Sequence, residues 1–220
     1  MDGIRGGAAC PGSLLDRRAL MGQHARAMIE AGLDEAGEAE AMLLTAFAAG
    51  DRVAARRLAD RLVPRALSLA FRMLADRAEA EDVTQEAMMR LWRAAPDWRT
   101  GEGRVSTWLH RVVVNLCIDR LRRRRETALA EVPEPPDPAT PPAERLDQAA
   151  RLRALSDALA GLPERQAQAV ALRHLEGLSN PEIAAIMGIG VEAVESLTAR
   201  GRRALAAALA GRKAELGYED

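Results

Sequence analysis

Lysine is almost missing from this chain: Lys213 is the single one among 31 basic residues. So uniform a skew is what a GC-rich genome produces, and arginine standing in place of lysine is not by itself the mark of a site. Cysteine is nearly as scarce. Cys10 and Cys117 are too few for a disulfide framework and sit in no C-x-x-C metal spacing, which fits a reducing compartment. Aromatic residues make up 3% of the chain, and runs of β-branched residues bounded by turn signals are lacking, which argues against sheet. No apolar run approaches the roughly 20 residues of a membrane span, and the opening MDGIRGGAACPG lacks the basic-then-apolar order of a signal peptide. The expectation is an all-α, soluble, cytoplasmic protein. His24, His110 and His174 stand at no metal-ligand spacing, no glycine-rich phosphate loop precedes a helix, and no base is fixed beside Cys117. Catalytic residues, metal ligands and cofactors are therefore not expected, and the chain does not read as an enzyme.

What the chain does contain is helical pattern and segregated charge. Its 220 residues, 48% hydrophobic, suffice for two modest cores. The formal net charge of −1 conceals a basic segment, Arg99 to Arg125, in which eight arginines face only Glu102 and Asp119. Residues 1–38 are rich in Gly and Ala and read as a poorly ordered extension. Apolar residues at three-to-four spacing, such as Ala66, Leu69, Ala70, Met73 and Leu74, mark residues 39–125 as a helical domain. Residues 126–147 hold six of the eleven prolines and six acids against one arginine, the composition of an extended acidic linker.

Helical periodicity returns over 148–210, followed by a short tail, 211–220. Gly161-Leu162-Pro163 and Gly177 read as helix boundaries. Ser179-Asn180-Pro181-Glu182 has the form of a capping box. The short helix it opens runs to Met187, Gly188-Ile189-Gly190 makes the turn, and a longer helix follows from Val191. This is the helix-turn-helix layout of duplex DNA binders.

Two segments of the first domain carry surface chemistry. At 100° per residue, Thr107, Arg111, Asn115, Asp119 and Arg122 fall within about 120° of one another. They form one polar stripe on a helix whose remaining faces, from Trp108 to Leu121, are too apolar to be solvated. The stripe and the arginine tail are expected to look outward. The glycine-containing loop before this helix holds Arg99 and Arg104 between Trp98 and Trp108. Arginines with neighbouring aromatics suit single-stranded nucleic acid, although small helical proteins also use tryptophan simply as core. Upstream, Asp82, Glu86, Met89, Arg90 and Arg93 share one helix face, where a methionine framed by charges resembles a protein-docking surface.

The order of these pieces is itself informative. AEDVTQEAMMRLWRA, the loop, STWLHRVVVNLCIDRLRRR, a proline-rich linker and LAGLPERQAQAVALRHLEGLSNPEIAAIMGIGVEAVESLTARGRRAL together resemble bacterial RNA polymerase sigma factors of the sigma-70 superfamily, and specifically the extracytoplasmic-function group. The resemblance implies a region 2 bundle over 39–125 and a region 4 helix-turn-helix over 148–210. It implies that Asp82, Gln85, Glu86, Met89 and Arg90 dock on core RNA polymerase. It places Trp98, Arg99, Arg104, Ser106, Thr107, Arg111, Asn115, Arg120 and Arg123 at the promoter −10 element, and Glu195, Ser196, Ala199, Arg200 and Arg203 at the −35 element.

Glu195 and Ala199 depart from the family pattern, which commonly has a basic residue and a larger one there. A carboxylate repels phosphate and can only accept hydrogen bonds, for instance from a cytosine amino group. Expected partners are core polymerase, promoter DNA and an inhibitory anti-sigma factor. Membrane insertion is not expected, and the free chain should be a monomer. The competing reading is a stand-alone helix-turn-helix regulator, which accounts for residues 162–209 but leaves the acidic face, the WLHRVVVN helix and the linker without purpose.

Overall fold

A computed structural model describes residues 36–99, 103–130 and 143–210. Most of the expected N-terminal extension, the loop tip at 100–102, the centre of the linker at 131–142 and the tail from 211 lie outside the described residues. The chain divides into two units, Met1–Ala39 and Glu40–Asp220, and all but four of the described residues belong to the second.

Every regular element among the described residues is helical. The first helix, α1, covers 36–48. It is followed by α2 (Arg52–Leu74), α3 (Arg77–Ala94), a single 3₁₀ turn (Ala95–Asp97) and α4 (Val105–Ala130). Then come α5 (Ala143–Ala160), α6 (Glu164–Val170), a π-helical turn (Ala171–Leu175), α7 (Asn180–Met187) and α8 (Val191–Ala210). The helices α4 and α5 each enter the stretch whose composition reads as linker. They stop short of Pro133 and resume after Pro142, so only the segment that contains the prolines separates them.

Local chemistry explains the boundaries. Asp51 caps α2, its side chain accepting from the backbone N–H groups of Val53 (2.7 Å) and Ala54 (3.1 Å). Ala75 ends that helix in the left-handed region at φ 54° and returns its N–H to Phe71. Asp76 caps α3 by accepting from Glu79 N–H at 2.9 Å. At the start of α4 the cap comes from a distant element: the buried Glu40 carboxylate accepts from Ser106 N–H at 3.1 Å.

The core of the first domain is the meeting of α2, α3 and α4. The buried face of α2 runs Leu58, Leu62, Ala66, Leu69, Met73, a four-residue rhythm that keeps one stripe inward. Against it stand Val83, Ala87 and Leu91 of α3, and Leu109, Val113, Val114 and Cys117 of α4. Burial drives the Cys117 thiol up to about 12, so the thiolate needed for reactivity does not form near neutral pH. In the second domain α6 and α8 cross at Gly201. A Cβ there would stand 2.5 Å from Val170 Cγ2 and 3.2 Å from the Gln166 carbonyl oxygen, so the close crossing requires glycine. The capping box read from sequence is present: Glu182 N–H donates to Ser179 Oγ, and Glu182 accepts from Ser179 N–H at 2.8 Å.

The two expected domains do not stand apart. Helix α4 packs against both α5 and α6, and residues of both domains belong to one hydrophobic cluster. Ile118 and Leu121 of α4 meet Leu159 and Leu162 around a small cleft. The Leu74 carbonyl at the end of α2 accepts from Arg124 of α4 at 3.1 Å and from Ser156 of α5 at 3.3 Å, which satisfies an orphan helix-end acceptor from both domains.

Candidate nucleic-acid and polymerase interface

The face expected to dock on polymerase is open. Asp82, Gln85 and Arg90 are exposed, Met89 is 42% accessible and Glu86 is half-buried with an ion pair to Arg90 one turn on. Met89 is one of four large apolar side chains exposed among the described residues, with Met42, Val53 and Val191, and it is framed by charges on one helix face. Charge also ties this face to α4: Arg124 lies 2.9 Å from Glu79, and Arg120 lies 3.7 Å from Asp82. One residue expected at polymerase and one expected at DNA are thus neighbours.

The nine residues expected at the −10 element fall into two groups. Arg99, Arg111 and Arg123 are exposed. The ring of Trp98 meets that of Trp108 edge-on at 6.2 Å, and both are half-buried against the core. The Trp98 indole N–H is buried without a hydrogen-bond acceptor among the described residues. Ser106, Thr107, Asn115 and Arg120 are half-buried, and Arg104 is 3.7 Å from Glu182 of α7.

The polar stripe of α4 therefore does not look wholly outward, as the pattern implied. The second domain covers part of it: Gln168 of α6 donates its amide N–H to the Asn115 carbonyl oxygen, and Glu182 reaches Arg104. A helix-face pattern reports which residues are polar but not whether water or another domain satisfies them.

The centre of this covered region holds residues that the sequence did not single out. Arg72 of α2 donates to the Glu176 carboxylate at 2.8 Å, and Nδ1 of His110 on α4 lies 3.3 Å from the other Glu176 oxygen. The Glu176 side chain is 9% exposed. Burial raises its pKa, and this outweighs the opposing attraction of Arg72 and Arg65. Burial together with the charges of Arg65 and Arg72 holds His110 down to about 4, so the imidazole is neutral at pH 7. Glu182 shows the reverse balance: burial pushes its pKa up, but hydrogen bonds from the Ser179 hydroxyl and backbone, with Arg104 nearby, bring it below the usual value.

On α8 most of the outward face is uncovered by the described residues. Ser196, Ala199, Arg200 and Arg203 are exposed, whereas Val194 and Gly201 are turned into the domain. Glu195 is exposed as well, accepting from the Asn180 side chain of α7 at 3.3 Å. That contact ties the Glu195 carboxylate to the helix before the turn, and the exposed Glu192 shares the face with Arg200 and Arg203.

Residues 58–127 match the family Sigma-70 region 2, and residues 152–205 match Sigma-70, region 4. The ECF RNA polymerase sigma factor SigM of Mycobacterium tuberculosis is 37% identical over 167 residues, which cover 76% of this chain and 83% of that one. The ECF RNA polymerase sigma factor SigE of Mycolicibacterium smegmatis is 38% identical over 157 residues, covering 69% of this chain but only 60% of the relative's length. Among solved structures, CnrH in complex with the cytosolic domain of CnrY superimposes with a TM-score of 0.58 at 25% identity, over 79% of this chain and 98% of that one. With both regions present in order and this level of identity, the chain belongs to the extracytoplasmic-function group of the sigma-70 family.

Proposed function

We propose that this chain is a sigma subunit: it binds core RNA polymerase, reads promoter −10 and −35 elements, helps to separate the strands and directs initiation. The supporting observation is the pairing of two matched regions, 58–127 and 152–205, in one short chain. A stand-alone duplex-binding regulator needs only the second. In this reading Asp82, Gln85, Glu86, Met89 and Arg90 form the polymerase contact. The loop from Trp98, the stripe residues Thr107, Arg111 and Asn115, and Arg120 and Arg123 beside that stripe hold an unstacked −10 base and its backbone. Because unstacking costs a few kcal/mol, a platform packed on most sides, as α4 is, suits the task. Ser196, Ala199, Arg200 and Arg203 face the −35 major groove, and Glu195 turns the local preference toward a base that donates.

CnrH was solved with the cytosolic domain of CnrY bound, and by analogy this chain takes a protein inhibitor, an anti-sigma factor. Polymerisation chemistry belongs to the polymerase. The experiment is co-purification of the complete chain with bacterial core polymerase, against a variant carrying Asp82→Arg and Glu86→Arg. Retention of the parent and loss of a folded variant is the expected result. Equal retention of both would remove α3 from the polymerase contact.

A further inference from the structure

Helix α2 carries a row of charge that neither the polymerase face nor the −10 stripe uses. Arg57, Arg61, Arg65 and Arg72 fall within about 80° of one another at 100° per residue. Between Arg57 and Arg72 the one uncharged member of that row is Ser68. Arg57, Arg61 and Arg65 are exposed. Among the described residues, no carboxylate comes within ion-pair distance of these three, although the surface is otherwise laced with ion pairs such as Arg77–Glu81 and Arg124–Glu79. The row is of one sign and holds no exposed aromatic or methionine. Guanidinium forks spaced one turn apart suit a chain of oxyanions.

The last position of the row is already filled by an oxyanion. The Glu176 carboxylate takes a 2.8 Å hydrogen bond from Arg72 on one oxygen and lies 3.3 Å from His110 Nδ1 on the other. It comes from the turn before α7, so the occupant belongs to the second domain while the site belongs to the first. The neighbouring residue of α4, Arg111, is part of the −10 stripe, and Asn115 one turn on is covered from the same side by Gln168. The arginine row and the stripe therefore converge beneath the second domain.

We propose that Arg57, Arg61, Arg65 and Arg72 form a track for the phosphate backbone of promoter DNA, and that Glu176 holds its last position as an internal anion while the two domains are packed together. The inference rests on the sigma-factor reading. When the domains separate, Glu176 leaves, a phosphate takes its place between Arg72 and His110, and the covered part of the −10 stripe opens in the same movement. Glu176 and DNA compete for one site, so the closed chain binds promoter weakly by itself.

Arg61 decides the test, because it belongs to the row but does not touch Glu176. Holoenzyme assembled from core polymerase and the complete chain is titrated onto a promoter fragment that supports a transcript, over a range of salt concentrations. Arg61→Ala and Arg65→Ala should each weaken binding severalfold and lower the slope of log affinity against log salt by about 1. In the free chain, Glu176→Ala should tighten binding to the same fragment, and adding Arg61→Ala should reverse part of that gain. Unchanged affinity and slope in holoenzymes that still transcribe would overturn the track and leave the sigma reading intact. Loss of holoenzyme assembly with an unaltered salt slope would assign the row to polymerase instead and overturn it too. If Arg65→Ala tightened free-chain binding as Glu176→Ala does, the contact would be a latch alone. A parent chain that never yields a transcript would remove both readings.

Discussion

His110 concentrates the physical chemistry of the covered surface in one side chain. Burial, with Arg65 and Arg72 close by, keeps it neutral down to about 4, against 6.5 for a free imidazole. The unfolded chain accepts a proton near 6.5 that the native state resists. Stability from the neutral ring is therefore complete above that value and is lost as pH falls toward 4, a separation worth up to about 3 kcal/mol. Glu176 acts in the opposite sense: its pKa is raised by burial, so its contribution is complete below the ordinary carboxylate value and is lost as pH rises through the native one. Comparison with His110→Gln isolates the first effect. Relative to that variant, the parent should lose stability in denaturant titrations as pH falls from 6.5 to 4, and parallel curves would contradict the burial of His110. Gly201 makes a second residue-scale prediction. Gly201→Ala forces a Cβ to within 2.5 Å of Val170 and against the Gln166 backbone, and it should cost about 1–2 kcal/mol by denaturant unfolding despite alanine's better helix propensity. A stabilised variant would mean that α6 and α8 do not cross so closely.

At the scale of elements, most of what positions the candidate sites was legible. The capping box at Ser179, the glycine turn at Gly188 and the span of α7 follow from short-range chemistry that a sequence displays directly. The exposure of Asp82, Gln85 and Met89 follows from the 3.6-residue period of α3. Other features needed partners distant in sequence. Glu40 capping α4 lies 66 residues from Ser106, and Gln168 lies 53 residues from Asn115. No local pattern marks such pairs, and Glu176 beside Gly177 reads simply as the end of a helix. The linker makes its own prediction at this scale. Under the proposed sigma reading, its acidic character over the proline-bearing stretch suits a path through the polymerase that otherwise accommodates nucleic acid, so Glu131→Gln, Glu134→Gln and Asp137→Asn together should weaken holoenzyme formation or initiation. Unchanged activity in reconstituted transcription would remove that role.

For the whole molecule, the question is how firmly the two domains are joined. Polar contacts contribute much of the joint: Arg72–Glu176, Asn115–Gln168, Arg104–Glu182 and Ser156 to the Leu74 carbonyl. A buried ion pair roughly breaks even against the cost of desolvating it, whereas the leucine-rich interior of the α2–α4 bundle gains about 1.5–3 kcal/mol per fully buried side chain. An opening at this joint, as the proposal requires, would leave the α2–α4 bundle and the α6–α8 crossing packed. Glu176→Arg would place a third cation against Arg65 and Arg72, and small-angle scattering of the free chain should show a larger radius of gyration with unchanged helix content. An unaltered radius would mean that the apolar contact of Ile118 and Leu121 with Leu159 and Leu162 suffices to hold the domains. The most direct test of the account as a whole is run-off transcription with purified bacterial core polymerase on a promoter-fragment library from the source organism, with and without this chain. Discrete transcripts that require the chain, starting downstream of shared −10 and −35 sequences, are the predicted result. Absence of such transcripts, together with salt-sensitive duplex binding by the chain alone, would contradict it and point to a stand-alone regulator.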